Sequence, residues 1–239
     1  MNPFRAHTRF VQAQEAARPG GSAAGASGYE KMLMQLGEHM RRLKTVQGTE
    51  RKIALKREFL PVYDAWVAGV LAADSARQDD VAMFVLIWRI DTGNYTGALE
   101  IARHALRHGW VLPQRFNRTT ATAIAEEFSD AAMRAFAGGE TFSAALLTQA
   151  LELVEPHDMP DQSRARIYKA LGFALRDNDQ AVAALNHLKR ALQLDMNCGV
   201  KTEIKQPTFV INRAVMMIMH VDLCFIILLL KVNIKCRLA

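Results

Sequence analysis

Four carboxylates, Asp79, Asp80, Glu126 and Asp161, have neighbours that would let them do chemistry. Asp79 and Asp80 stand side by side before an apolar run. That position suits a helix N-terminus, where the dipole favours negative charge, and capping is its commoner use; the same pair could also ligate the metal of a nuclease. Glu126 and Asp130 are four residues apart, so on a helix they share a face, as a divalent-cation site would need. Exposed acidic faces usually bind nothing specific. Pro160-Asp161 followed by Glu203-Ile204-Lys205 satisfies the Pro-Asp and Glu-x-Lys of a restriction-type nuclease, but at long spacing and on stretches that read as helix rather than β-hairpin. His104 and His108 are also four apart, a geometry that can hold a metal. No third ligand is evident and Arg103 and Arg107 flank them, so they read as surface histidines and no metal site is assigned. Gly199-Val200-Lys201-Thr202 resembles the end of a phosphate loop but carries an extra residue, which excludes an ATP site. No cofactor is expected, apart from Mg²⁺ if a nuclease centre is present.

The second kind of chemistry is electrostatic. Between Tyr29 and Glu58 stand eight Lys or Arg against four acids, the densest basic region of the chain. Arg41, Arg42, Lys44, Arg51, Lys52, Lys56 and Arg57 could neutralise several phosphates, with affinity falling steeply as salt rises. The alternative is a solvated helix face laced with i,i+4 ion pairs. The whole chain carries +6 over 239 residues, a mild lean towards an anionic partner. The three cysteines, Cys198, Cys224 and Cys236, are late, odd in number and without CxxC spacing. This argues against a disulfide framework or zinc ribbon and fits a reducing cytoplasm.

The elements that must position these groups all read as helices, so the expected class is all-α. Residues 1–28 read as a mixed, basic arm over 1–17, with Arg5 and Arg9, followed by a flexible linker from Arg18 to Gly28. Residues 29–77 hold basic helices and then a mostly buried one, in which Tyr63 and Trp66 are core rather than base-stacking platforms. Residues 78–205 form a body of helical hairpins. Its centre is Asp80–Gly109, two helical periods joined by Asp91-Thr92-Gly93-Asn94, with Asn94 or Thr96 as cap. A link this short forces an antiparallel pair. Further helices are expected over 119–137 and 141–155, and from Pro160 to about Arg176. In the last hairpin Leu171, Gly172, Ala184 and Ala191 fall at the spacings of a tetratricopeptide repeat, without the usual closing proline. The expected architecture is a helical bundle with tetratricopeptide-like hairpins, a kind of surface that most often binds partners.

From Gln206 the composition shifts abruptly to Ile, Leu, Met, Val, Asn and Lys. Ala214–Leu230 is a 17-residue apolar run broken by His220 and Asp222. It is at the short end for a membrane span and has a charge near its middle, so an anchor is not favoured. The move from residues with GC-rich codons to residues with AT-rich codons points to a frameshift or gene disruption, with 206–239 an atypical apolar tail.

The segments Tyr29–Leu33, Lys56–Pro61, Trp66–Leu71, Gln78–Asp80, Trp88–Gly93, Gly97–Ala102, Met159–Asp161 and Gly199–Ile204 together resemble the small subunit of the DNA-packaging terminase of peduovirus-type tailed phages and prophages. The resemblance covers roughly residues 29–205 and is specific in order and spacing. The family continues into a Lys/Arg/Pro-rich tail, where this chain departs. The resemblance implies a subunit that binds double-stranded viral DNA at the packaging (cos) site in the host cytoplasm and recruits the large ATPase subunit for cleavage and packaging. It also implies a homo-oligomer. The family is labelled an endonuclease subunit, which keeps a metal-dependent nuclease open as an alternative, beside a repeat-type adaptor with no DNA role.

Overall fold

The computed structural model describes residues 3–18, 23–113 and 117–205. The tail from 206 onward lies outside them, and with it the expectations for Ala214–Leu230. The described residues are all-α. In order the helices are α1 Pro3–Ala17, α2 Ala23–Lys44, α3 Thr49–Phe59, α4 Asp64–Ala73, α5 Asp80–Asp91, α6 Tyr95–Arg107, α7 Thr120–Ala137, α8 Ala144–Val154, α9 Asp161–Asp177, α10 Ala181–Leu194 and the single turn α11 Lys201–Ile204. A 3₁₀ turn over Leu60–Val62 carries Pro61 in its first positions, where a missing N–H costs nothing. Among the described residues no helix is long and apolar enough to cross a membrane.

The centre of the molecule is α5. Every residue from Val81 to Ile90 is buried, Arg89 included, so this helix is enclosed on all sides rather than striped. The hairpin expected over Asp80–Gly109 is present. Gly93 takes φ +86° in the turn, a conformation open to glycine at little cost. The Asn94 side chain accepts from the Gly97 amide at 3.1 Å and so starts α6. Ala98 and Ala105 are fully buried, which lets the two backbones approach. The last hairpin is held in the same way. A Cβ built on Gly172 of α9 would stand 2.6 Å from Leu188 Cδ2 of α10, so a larger residue there would force the buried Leu188 aside.

Two expectations change. The stretch read as a flexible arm and linker is helical over 3–17 and again from 23. Helix α1 docks on α4, with Ala13, Ala16 and Ala17 buried. The contact depends on Gly69, where a Cβ would lie 2.3 Å from the Phe10 carbonyl oxygen. Gly28 has a similar role inside α2, since a Cβ there would meet Gln12 at 2.9 Å. Gly28 falls in the stretch that reads as linker and Gly69 in one that reads as a buried helix, and both are where helices touch. The second change concerns the division at residue 77. One hydrophobic cluster runs from Ala13 through Trp66 and α5 to Val200, so the basic helices and the hairpin body share a core.

Candidate nucleic-acid interface

The basic region forms one corner, where α2 ends and α3 begins. Arg41, Arg42 and Lys44 occupy the last turn of α2, where the helix dipole favours positive charge. A short turn leads to α3, which carries Arg51, Lys52, Lys56 and Arg57. An aromatic stack fixes the two helices. His39 lies flat on Phe59 with ring centroids 3.9 Å apart, and the Arg42 guanidinium sits 4.7 Å over the Phe59 ring. His39 Nδ1 is 2.8 Å from the Tyr63 hydroxyl. Burial, and then the Arg42 charge, hold the His39 ring below its ordinary pKa, so it supports the stack as a neutral imidazole.

The seven cations divide by their partners. Lys56 is half-buried and ion-paired with Asp91. Arg42 meets Glu58 at 3.5 Å, and Arg41 meets Glu38 at 2.5 Å on an exposed face. Arg57 donates to the Thr92 carbonyl at 3.4 Å. Lys44, Arg51 and Lys52 form no ion pair among the described residues. Lys44, Lys52 and Lys56 rim a cleft of about 230 Å³ whose floor is Met40, Leu43, Phe84, Ile87 and Trp88. Three of the seven cations at this corner, Lys44, Arg51 and Lys52, can therefore meet anionic groups without breaking an internal ion pair.

The four carboxylates have different surroundings. Asp79 is buried and caps α5, accepting from the Ala82 amide at 2.8 Å and from Trp66 Nε1 at 2.9 Å. Burial pushes its carboxyl up to about 6. Asp80 accepts from Gln78 Nε2 at 3.0 Å. Glu126 accepts from Arg118 at 2.5 Å and from Ser163 Oγ at 2.7 Å. Burial alone would raise its pKa, but those hydrogen bonds and the Arg118 charge outweigh it and bring it below the usual carboxylate value. Asp161 is exposed in the first turn of α9. Among the described residues, none of the four belongs to a group of three ligand atoms close enough to share a metal ion.

One such group does exist, and sequence reading passed over it. His104 is buried rather than on the surface. Asp74, thirty residues earlier, comes within 3.5 Å of His104 Nδ1 and 3.1 Å of His108 Nε2. The signal available in the sequence was the i,i+4 histidine pair alone.

With this geometry in place, comparison with known proteins decides the family. A model described as phage small terminase subunit matches residues 33–162. The chain belongs to that family. It is also 45% identical over 206 residues to a protein of Escherichia phage P2 named "Terminase, endonuclease subunit", covering 86% of this chain and 83% of that one. No solved structure matches the chain. Membership places this small subunit in the terminase machinery of phage DNA packaging.

Proposed function

We propose that this terminase small subunit is the DNA-recognition component, binding the viral duplex at its cos site and acting there with the large ATPase subunit. The observation that carries this reading is the set of Lys44, Arg51 and Lys52. They are cations without counter-ions, placed on one corner beside the exposed Arg41, Arg42 and Arg57. Phosphate contacts of this kind fix a protein on duplex DNA and set its salt dependence. The helical-hairpin body from α5 to α10 is then the surface for the large subunit or for further copies of this chain, and the assembly is a homo-oligomer.

The test is anisotropy binding of the full-length chain to cos-containing and control duplexes over a salt series. Replacing Lys44, Arg51 and Lys52 together by Ala removes up to three phosphate contacts. It flattens the slope of log K against log salt by about 2–3, at roughly 0.9 per contact. An unchanged slope overturns the placement, and no salt-sensitive affinity in the parent chain overturns DNA recognition and favours the adaptor.

The name of the phage P2 relative supports a second reading, in which this chain itself cuts DNA with Mg²⁺. Cleavage of cos DNA by the purified chain without the large subunit would establish it. Binding without cutting would leave the cleavage to the large subunit.

A further inference from the structure

The corner where α4 and α6 end carries a second constellation, separate from the basic face. Helix α4 ends at Asp74, which takes φ 43°, ψ 47°. This left-handed C-cap position is the usual place of glycine, and a non-glycine residue there is strained. The conformation turns the Asp74 carboxylate towards the last turn of α6. Its Oδ1 lies 3.1 Å from His108 Nε2 and 3.5 Å from His104 Nδ1. The ligand atoms of the three residues all lie within 4.8 Å of one another. A tetrahedral ion with bonds of about 2.0–2.1 Å separates its ligand atoms by roughly 3.3 Å, so both measured separations match two edges of such a site.

The proton positions favour a cation there. His104 Nε2 is 3.2 Å from the Ser75 carbonyl oxygen. A carbonyl only accepts, so Nε2 carries the proton, and the Nδ1 of a neutral ring presents a lone pair. That lone pair faces a carboxylate oxygen, which is also an acceptor. Two acceptors then face each other at 3.5 Å with no proton between them. A metal ion resolves the conflict. A ligating histidine whose other ring nitrogen donates to a backbone carbonyl is the arrangement that fixes the tautomer in metal sites.

The frame around the three side chains is rigid. Ser75 Oγ donates to the Ala17 carbonyl, Trp110 Nε1 donates to the Ala76 carbonyl at 3.1 Å, and the His104 ring meets Trp110 edge-on at 4.6 Å. Arg107 donates to both oxygens of Asp74, at 3.1 and 3.3 Å. Its charge competes with a bound ion, while its hydrogen bonds hold the carboxylate in place.

We propose that Asp74, His104 and His108 bind a divalent transition-metal ion of the zinc class, which ties the end of α4 to the end of α6. Two imidazoles and one carboxylate suit zinc, cobalt or nickel rather than magnesium or calcium. Three protein ligands leave a coordination position for water.

The test uses the full-length chain, stripped with chelator and titrated with Zn²⁺ by calorimetry and with Co²⁺ by absorbance. The expected result is saturable uptake of one ion per chain, a cobalt spectrum without a thiolate charge-transfer band, and a rise in thermal midpoint with zinc. Asp74 is exposed and His108 reaches the surface at 18% exposure, so Asp74→Asn and His108→Gln should both fold, as circular dichroism would verify. Each should weaken uptake by at least the roughly tenfold to hundredfold that loss of an outer-shell partner costs. His104→Ala should do the same but is buried, so the first two variants decide. No saturable uptake at micromolar zinc, uptake unchanged in both variants, or a thiolate band traced to the cysteines overturns the site.

Discussion

Helices α5 and α3 carry cations under opposite rules. Arg89 of α5 is buried; its guanidinium donates to the Gly97 carbonyl at 2.9 Å and to Asp64 at 3.2 Å. It fastens α5 to α6 and α4. Arg51 and Lys52 of α3 form no ion pair among the described residues, and α3 buries only Leu55 and Phe59. A buried charge without partners would be prohibitive, so every cation in the centre is part of the architecture. At the α2–α3 corner solvent screens the cations, and the fold leaves several of them for an outside partner. Charge density along the sequence does not make this distinction; the distribution of partners does.

The largest effect expected from this contrast is at Trp66. Its ring is fully buried and its Nε1 holds the Asp79 cap. Trp66→Ala should cost about 3–5 kcal/mol in urea unfolding, whereas Arg51→Ala should stay within about 0.5 kcal/mol. Comparable losses at the two sites would break the division between a structural centre and a free corner.

Asp79 gives the next effect, through pH. Its folded pKa is raised to about 6, above that of the unfolded chain, so between the two values the folded state holds the extra proton. Stability from this group therefore rises as pH falls from about 7 to 4, by at most on the order of 3 kcal/mol. Asp79→Asn keeps an acceptor for Ala82 and Trp66 and removes the titration. The difference in unfolding free energy between parent and variant should follow this slope; a difference that does not change with pH would mean that Asp79 is solvated.

Gly69 tests the docked α1. Gly69→Ala forces a methyl against the Phe10 carbonyl and against Ala13 Cβ, where 2.8 Å separates the ideal positions. A loss of about 1–3 kcal/mol is expected, together with faster proteolysis before residue 18. If neither changes, α1 does not depend on this contact.

Most of the scaffold was legible in the sequence because helices declare themselves locally. The period of Leu99, Ala102 and Leu106, the Asn94 cap, the Gly93 turn and the small residues Ala98, Ala105 and Gly172 all act within one hairpin. The contact at Gly28 was not legible, because a glycine that admits a neighbouring helix and one that loosens a linker look the same without the neighbour; the helix over 61–73 was legible, but not that Gly69 in it admits α1. The same limit applied to the site. The basic run was visible, but that Lys56 is paired inward while Arg51 is not depends on Asp91, thirty-five residues away. Asp74 joins His104 and His108 only through a left-handed cap that a single sequence does not reveal.

Lys56 is therefore the finest test of the contrast. It belongs to the basic run in sequence, rims the same cleft as Lys44 and Lys52, and yet its ammonium is paired with Asp91 at the end of α5. Both side chains are about four-fifths covered, at 17% and 22% exposure, so the pair is screened less than a surface bridge. Lys56→Ala leaves Asp91 without its partner and should cost roughly 1 kcal/mol, near the upper end for exposed pairs. A double-mutant cycle with Asp91→Asn should recover part of that loss. If Lys56 is architecture, the salt slope of DNA binding stays that of the parent chain while stability falls. A slope lowered by about 0.9 without loss of stability would instead place Lys56 on a phosphate, and would mean that the pair with Asp91 opens when DNA arrives.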